Sequence, residues 1–137
     1  MDISPELVGQ IVGHAQEQPT VEVCGVVAVR HDASDPEAPA EATGVYRVRN
    51  IHASALKFEM DGDELYAHYK AILADDCEIG AIYHSHVRSK PYPSQTDINF
   101  AALWPGVEWI IVGLVAGQEP EVCSYLIDGG EVTEVAI

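Results

Sequence analysis

Ile79-Gly80-Ala81-Ile82-Tyr83-His84 is a short apolar run that continues into Ser85-His86 before Pro91-Tyr92-Pro93 interrupts the chain. A run this brief, with isoleucine and tyrosine in it, reads as a buried strand. Upstream, Asp61 is placed to cap a helix running to about Asp75, with an apolar stripe of Leu65, Tyr69, Ile72 and Leu73. Downstream, Ser94 opens a second helix that Pro105-Gly106 ends, and Glu108 to Val115 reads as another strand. Strands alternating with helices predict an α/β domain, with helices packed on a mixed sheet.

The flanks extend the pattern. Ser4-Pro5-Glu6 is a helix start, and Leu7, Val8, Ile11, Val12 and Ala15 recur at helical spacing until Gln18-Pro19. Val21 to Arg30 reads as a strand, His31 to Gly44 as a solvated loop, and Val45 to Asn50 as a strand with period-two alternation. Glu121 to Ile127 and Val132 to Ile137 close the sheet, joined by the turn Asp128-Gly129-Gly130. With no internal repeat, residues 1–137 are expected to form a single domain.

Composition narrows the function. Asp and Glu number 22 against 7 Lys and Arg, a net charge of −15. Such a surface repels phosphate backbones and anionic lipid, so neither nucleic acid nor a membrane is the expected partner. It suits a basic protein partner or a high-salt setting. The acidic N-terminus lacks a signal-peptide layout, and Cys24, Cys77 and Cys123 form no closely spaced pair. The expected compartment is the cytoplasm.

The chemistry gathers around the opening stretch. A strand sends residues i and i+2 to one face, so His84 and His86 can both reach a single point, half of a typical zinc site. Ser94-Gln95-Thr96-Asp97 has a plain explanation as a helix-capping motif. The same geometry fixes Asp97 in the first helical turn, where its carboxylate can complete a three-ligand set. Zinc lowers the pKa of a bound water to roughly 7, so a base is required nearby. Glu22, an acidic residue among the apolar ones of Val21 to Gly25, is the candidate, although a solvent-exposed edge glutamate would read the same way. Cys24 reads as an inert packed thiol, Trp104 and Trp109 as core anchors, and His14, His31, His52 and His68 as surface or locally bonded residues.

Taken together, His84-x-His86, then Ser94-x-x-Asp97, with Glu22-x-Cys24-Gly25 upstream, resembles the JAMM (MPN-plus) zinc metallopeptidases. The resemblance implies a three-layer α/β/α sandwich with a mixed central sheet, similar to that of the cytidine deaminases. It implies Zn²⁺ held by His84, His86 and Asp97, with Glu22 as general acid/base and Ser94 donating to the oxyanion. Many members carry Pro after the second histidine, where this chain has Val87. That segment looks closer to small bacterial members acting on ubiquitin-like sulfur-carrier proteins. The activity implied is hydrolysis of the amide after the carrier's C-terminal glycine, with release of cysteine in that branch. The substrate tail is expected beside a sheet edge, flanked by Val45 to Arg49 or by Phe58 to Asp61. Two other readings stand beside this one: a non-catalytic MPN-type interaction module, and a JAMM-like zinc hydrolase of another substrate class. A cytidine deaminase is disfavoured because its Pro-Cys-x-x-Cys pair is missing.

Overall fold

A computed structural model describes residues 1–137. In chain order the elements are α1 (Pro5–Glu17), β1 (Cys24–Arg30), β2 (Glu41–Val48), α2 (Gly62–Ala74) and β3 (Glu78–His86). They continue with α3 (Gln95–Ala101), β4 (Glu108–Gly113), β5 (Glu121–Asp128) and β6 (Glu131–Val135). The strands form one six-stranded sheet in the order β2-β1-β3-β4-β5-β6. Every neighbouring pair is antiparallel except β3 and β4, which run parallel and are connected through α3.

Alternation along the strands builds two cores, one on each sheet face. Val27, Ala81, Tyr83, Ile110 and Val112 pack under α1 with its Ile11 and Ala15. Val26, Ile82, Trp109, Ile111 and Tyr125 pack on the opposite face with Ile72 of α2 and Ala101 of α3. One helix on one face and two on the other make the expected three-layer sandwich. No helix is long and apolar enough to cross a membrane.

Several expected boundaries shift. β1 begins at Cys24, so Glu22 precedes the strand. The solvated loop is shorter than its composition suggests, because Glu41 to Gly44 belong to β2. These polar and small residues gain strand structure from pairing: Glu41 lies opposite Arg30, the Ala42 N–H donates to the Asp2 carbonyl at 2.7 Å, and the Asp2 N–H donates to the Ala40 carbonyl at 2.8 Å. The stripe on α2 is also narrower than read. Leu65 and Ile72 reach the core, whereas Tyr69 and Leu73 are exposed, since α2 covers only the β2 and β3 flank of the sheet.

Candidate metal centre

β3 delivers the two histidines at its C-terminal end, where the main chain leaves the parallel pair and loops to α3. His84 and His86 are both buried and share the α2/α3 face, as two-residue periodicity requires. Asp97 arrives from the first turn of α3. The capping motif is real: the Asp97 N–H donates to Ser94 Oγ at 3.1 Å, and the Ser94 N–H donates to Asp97 Oδ2 at 2.9 Å. That reciprocal pair fixes the carboxylate, and the same Oδ2 faces both imidazoles. The capping bonds and the facing of Asp97 toward both histidines are therefore one structure.

His84 Nε2 and His86 Nε2 lie 3.1 Å apart, and they stand 3.1 and 3.3 Å from Asp97 Oδ2. Tetrahedral coordination with bonds of roughly 2.0–2.1 Å needs ligand atoms about 3.3 Å apart, so this triangle fits an ion. The three residues are the group in the chain able to hold a metal. The His86 Nδ1–H donates to the Lys90 carbonyl at 3.1 Å, which turns Nε2 toward the shared point. Phe58 stacks on the His84 ring at 4.5 Å between centroids, and Trp109 meets its edge.

Electrostatics follow the same arrangement. Burial pushes the His84 pKa down, which favours the neutral imidazole a metal needs. Burial alone would raise Asp97, but hydrogen bonds from His84 and His86 hold its carboxyl well below the usual range. Burial also works against charge on His86, yet its bonds to Asp97 and Lys90 raise its pKa overall. Glu22 lies 6% exposed and is pushed up to about 7 by burial.

Glu22, His86, Ser94 and Asp97 line one cleft of about 350 Å³, together with Leu56 and Phe58. Glu22 is held there by its backbone: its N–H donates to the Ser54 carbonyl at 2.8 Å, and its carbonyl accepts from Asn50 Nδ2 at 3.0 Å. Of the two segments expected to flank a substrate, the one at Phe58 borders the cleft, whereas Arg47 to Arg49 line a separate hollow behind Glu22.

The family model described as prokaryotic homologs of the JAB domain matches residues 4–128. The chain belongs to this family. As a prokaryotic JAB domain it is a JAMM-type hydrolase, and its relatives carry peptidase names. The CysO-cysteine peptidase of Mycobacterium tuberculosis is 31% identical over 132 residues, covering 96% of this chain and 86% of that protein. The desampylase of Haloferax volcanii is 32% identical over 132 residues, covering 93% of this chain and 87% of the relative. A solution structure of a Desulfitobacterium hafniense protein superposes with a TM-score of 0.81 at 26% identity, covering 97% of this chain and 88% of that one.

Two residues of this JAB domain's site escaped the sequence reading. Ser85, between the histidines, points to the other face, where its Oγ accepts the Val23 N–H at 2.9 Å. Its own N–H donates to the Val23 carbonyl at 3.1 Å. Ser85 thus ties the residue after Glu22 to the histidine strand. Asn50 fills all its bonding positions, donating to Glu22 and Lys57 carbonyls and accepting from the His52 and Glu59 N–H groups. A serine inside an apolar strand was the available signal for the first. Cys24 and Trp109 sit as expected, whereas Trp104 is only half-buried against the core and His14 is neither at the surface nor locally bonded. Cys24 is fully buried, with its thiol pushed up to about 12 by burial, and Trp109 is a core side chain. His14 bonds to the Tyr83 hydroxyl at 2.7 Å and is buried, while His31, His52 and His68 contact Glu78, Glu59 and the Arg47 carbonyl.

Proposed function

We propose that the protein is a cytoplasmic, zinc-dependent peptidase hydrolysing the amide bond after the C-terminal glycine of a ubiquitin-like sulfur-carrier protein, with release of cysteine. The observation that carries this reading is the convergence of His84 Nε2, His86 Nε2 and Asp97 Oδ2 beside a cleft lined by Glu22, His86, Ser94 and Asp97. Two imidazoles and one carboxylate are a donor set that suits zinc and leaves a coordination position open. Zinc held there supplies Lewis-acid polarisation of the scissile carbonyl and makes water more acidic.

The other steps belong to side chains. Glu22 takes a proton from the attacking water and returns it to the departing amine, a double role that suits a carboxyl titrating near neutrality. The water oxygen joins the carbonyl carbon, the carbon–nitrogen bond breaks, and the products are a carboxylate and an amine. Ser94 Oγ accepts the Asp97 N–H through a lone pair, so its own O–H stays free to donate to the carbonyl oxygen as negative charge develops. The names of the relatives support the substrate: one is a peptidase for CysO-cysteine, and two are desampylases.

Metal analysis of the purified protein should find one zinc per chain, and the zinc-loaded protein should cleave a ubiquitin-like carrier bearing one extra C-terminal residue. Glu22→Gln should retain the metal while turnover falls by about 10²–10⁴-fold. Absence of divalent metal, or full turnover by His84→Ala, overturns the mechanism.

A further inference from the structure

The seven fixed cations of this chain divide by location. Arg47 pairs with Glu17 and Arg49 with Asp61. Arg30 donates to the Asp75 carbonyl, and Lys70 lies over the Tyr66 ring. Lys57, Arg88 and Lys90 are left without a partner for their charged groups. Of these, Lys57 and Arg88 line the cleft that holds Glu22, Ser94, His86 and Asp97. Lys90 lies two residues beyond Arg88, with its carbonyl accepting from His86.

In a chain of net charge −15, only Arg47 and Arg49 have an acidic side chain at salt-bridge distance, while Arg30 and Lys70 are engaged by a carbonyl and an aromatic ring. Unpaired ones gathered at a single cleft mark the place where a negative group is supplied from outside. Their positions are also tied to the chemistry. Asn50 Nδ2 donates to the Lys57 carbonyl and to the Glu22 carbonyl, 3.0 Å each, so one amide group holds both stretches of main chain. Arg88 follows buried Val87, in the loop anchored by the bond between His86 and Lys90.

We propose that Lys57 and Arg88 bind a free α-carboxylate on the leaving side of the scissile amide. The enzyme then releases a single C-terminal amino acid in preference to cleaving an isopeptide bond to a lysine side chain. This rests on the peptidase reading and specifies its substrate. In a single-residue leaving group the carboxylate sits one carbon from the scissile nitrogen. In an isopeptide that nitrogen carries a four-carbon methylene stem, and the α-carboxyl belongs to a peptide bond. A guanidinium fork and an ammonium beside the cleft favour the first geometry through charge-assisted hydrogen bonds.

The test uses the zinc-loaded protein and a synthetic ubiquitin-like carrier ending in glycine, extended by one cysteine as free acid or as carboxamide. The same carrier joined to a lysine ε-amine serves as the isopeptide substrate. Wild type should favour the acid over the carboxamide by about tenfold or more in kcat/KM, mostly through KM. In Lys57→Gln/Arg88→Gln that ratio should fall to within about twofold, with kcat for the acid retained far better than kcat/KM. Wild-type indifference to the carboxylate overturns the proposal, as does a double variant slowed equally on both substrates, which would place the two cations against the carrier's body. Cleavage of none of the three substrates by zinc-loaded protein brings down the peptidase reading, and this inference with it.

Discussion

Glu22 combines burial with a titration midpoint of about 7, well above the ordinary 4.5 of a glutamate. Between those two values the native state binds more protons than the unfolded chain, so this group's contribution to stability is full below pH 4.5 and is lost as pH rises through 7. Gln cannot ionise and removes that loss. In the metal-free protein, Glu22→Gln should therefore be more stable than wild type by about 1–3 kcal/mol at pH 8 and equal to it at pH 4. Urea unfolding in the presence of a chelator measures this, and parallel curves at the two pH values would refute it. His14 pulls the other way: burial lowers it to about 4, so its contribution is lost as pH falls from 6.5 toward 4. Both proteins share His14, and it cancels in the comparison. Cys24, two residues away, is the control for burial without function, because a thiol pushed up to about 12 stays protonated throughout.

At the level of elements, the site depends on how the start of β1 is pinned to the end of β3. Val23 gives its N–H to Ser85 Oγ and takes the Ser85 N–H on its carbonyl, which sets Glu22 against the two histidines. Ser85→Ala leaves the buried Val23 N–H without an acceptor and should cost about 1–3 kcal/mol of stability. The expected kinetic effect is a drop in kcat of roughly tenfold or more at full zinc occupancy, because a base displaced by an ångström works poorly. Ser85→Thr, which restores the hydroxyl, should recover most of it, whereas equal loss in both variants would deny Ser85 a positioning role. Close main-chain approach does similar work at Gly25 and Gly113. A Cβ at Gly25 would lie 2.5 Å from the Tyr46 carbonyl oxygen, and one at Gly113 would lie 2.6 Å from Pro91, in the loop that links His86 to Ser94. The convergence of His84, His86 and Asp97 was legible in sequence because strand periodicity and helix capping are local rules. Ser85 and Asn50 were not, because their bonds reach 62 and 28 residues away. For the same reason Glu41 to Gly44 looked like loop: their strand character comes from partners in β1 and at Asp2.

For the molecule as a whole, the acidic surplus lies outside the site. Only Glu17, Asp61 and Glu108, of 22 acidic residues, have a fixed cationic partner, the last being the N-terminal amine. The rest repel one another across a domain whose free cations are gathered at the cleft, so the folded state carries an electrostatic cost that screening relieves. Salt screens few favourable pairs here and many unfavourable ones. The unfolding temperature should therefore climb by roughly 5 °C between 10 mM and 0.5 M NaCl, over the range in which the Debye length shrinks from about 30 Å toward the spacing of neighbouring charges. A gain complete by 0.5 M identifies simple self-repulsion and fits acidity kept for a basic partner surface. A gain that continues through molar salt identifies adaptation to a saline interior, and a flat or falling curve would show that the few ion pairs outweigh the surplus. In the same titration, kcat/KM for a carrier ending in a free carboxylate should decline as salt rises, because the cleft cations that attract that group are screened by the ions that stabilise the fold.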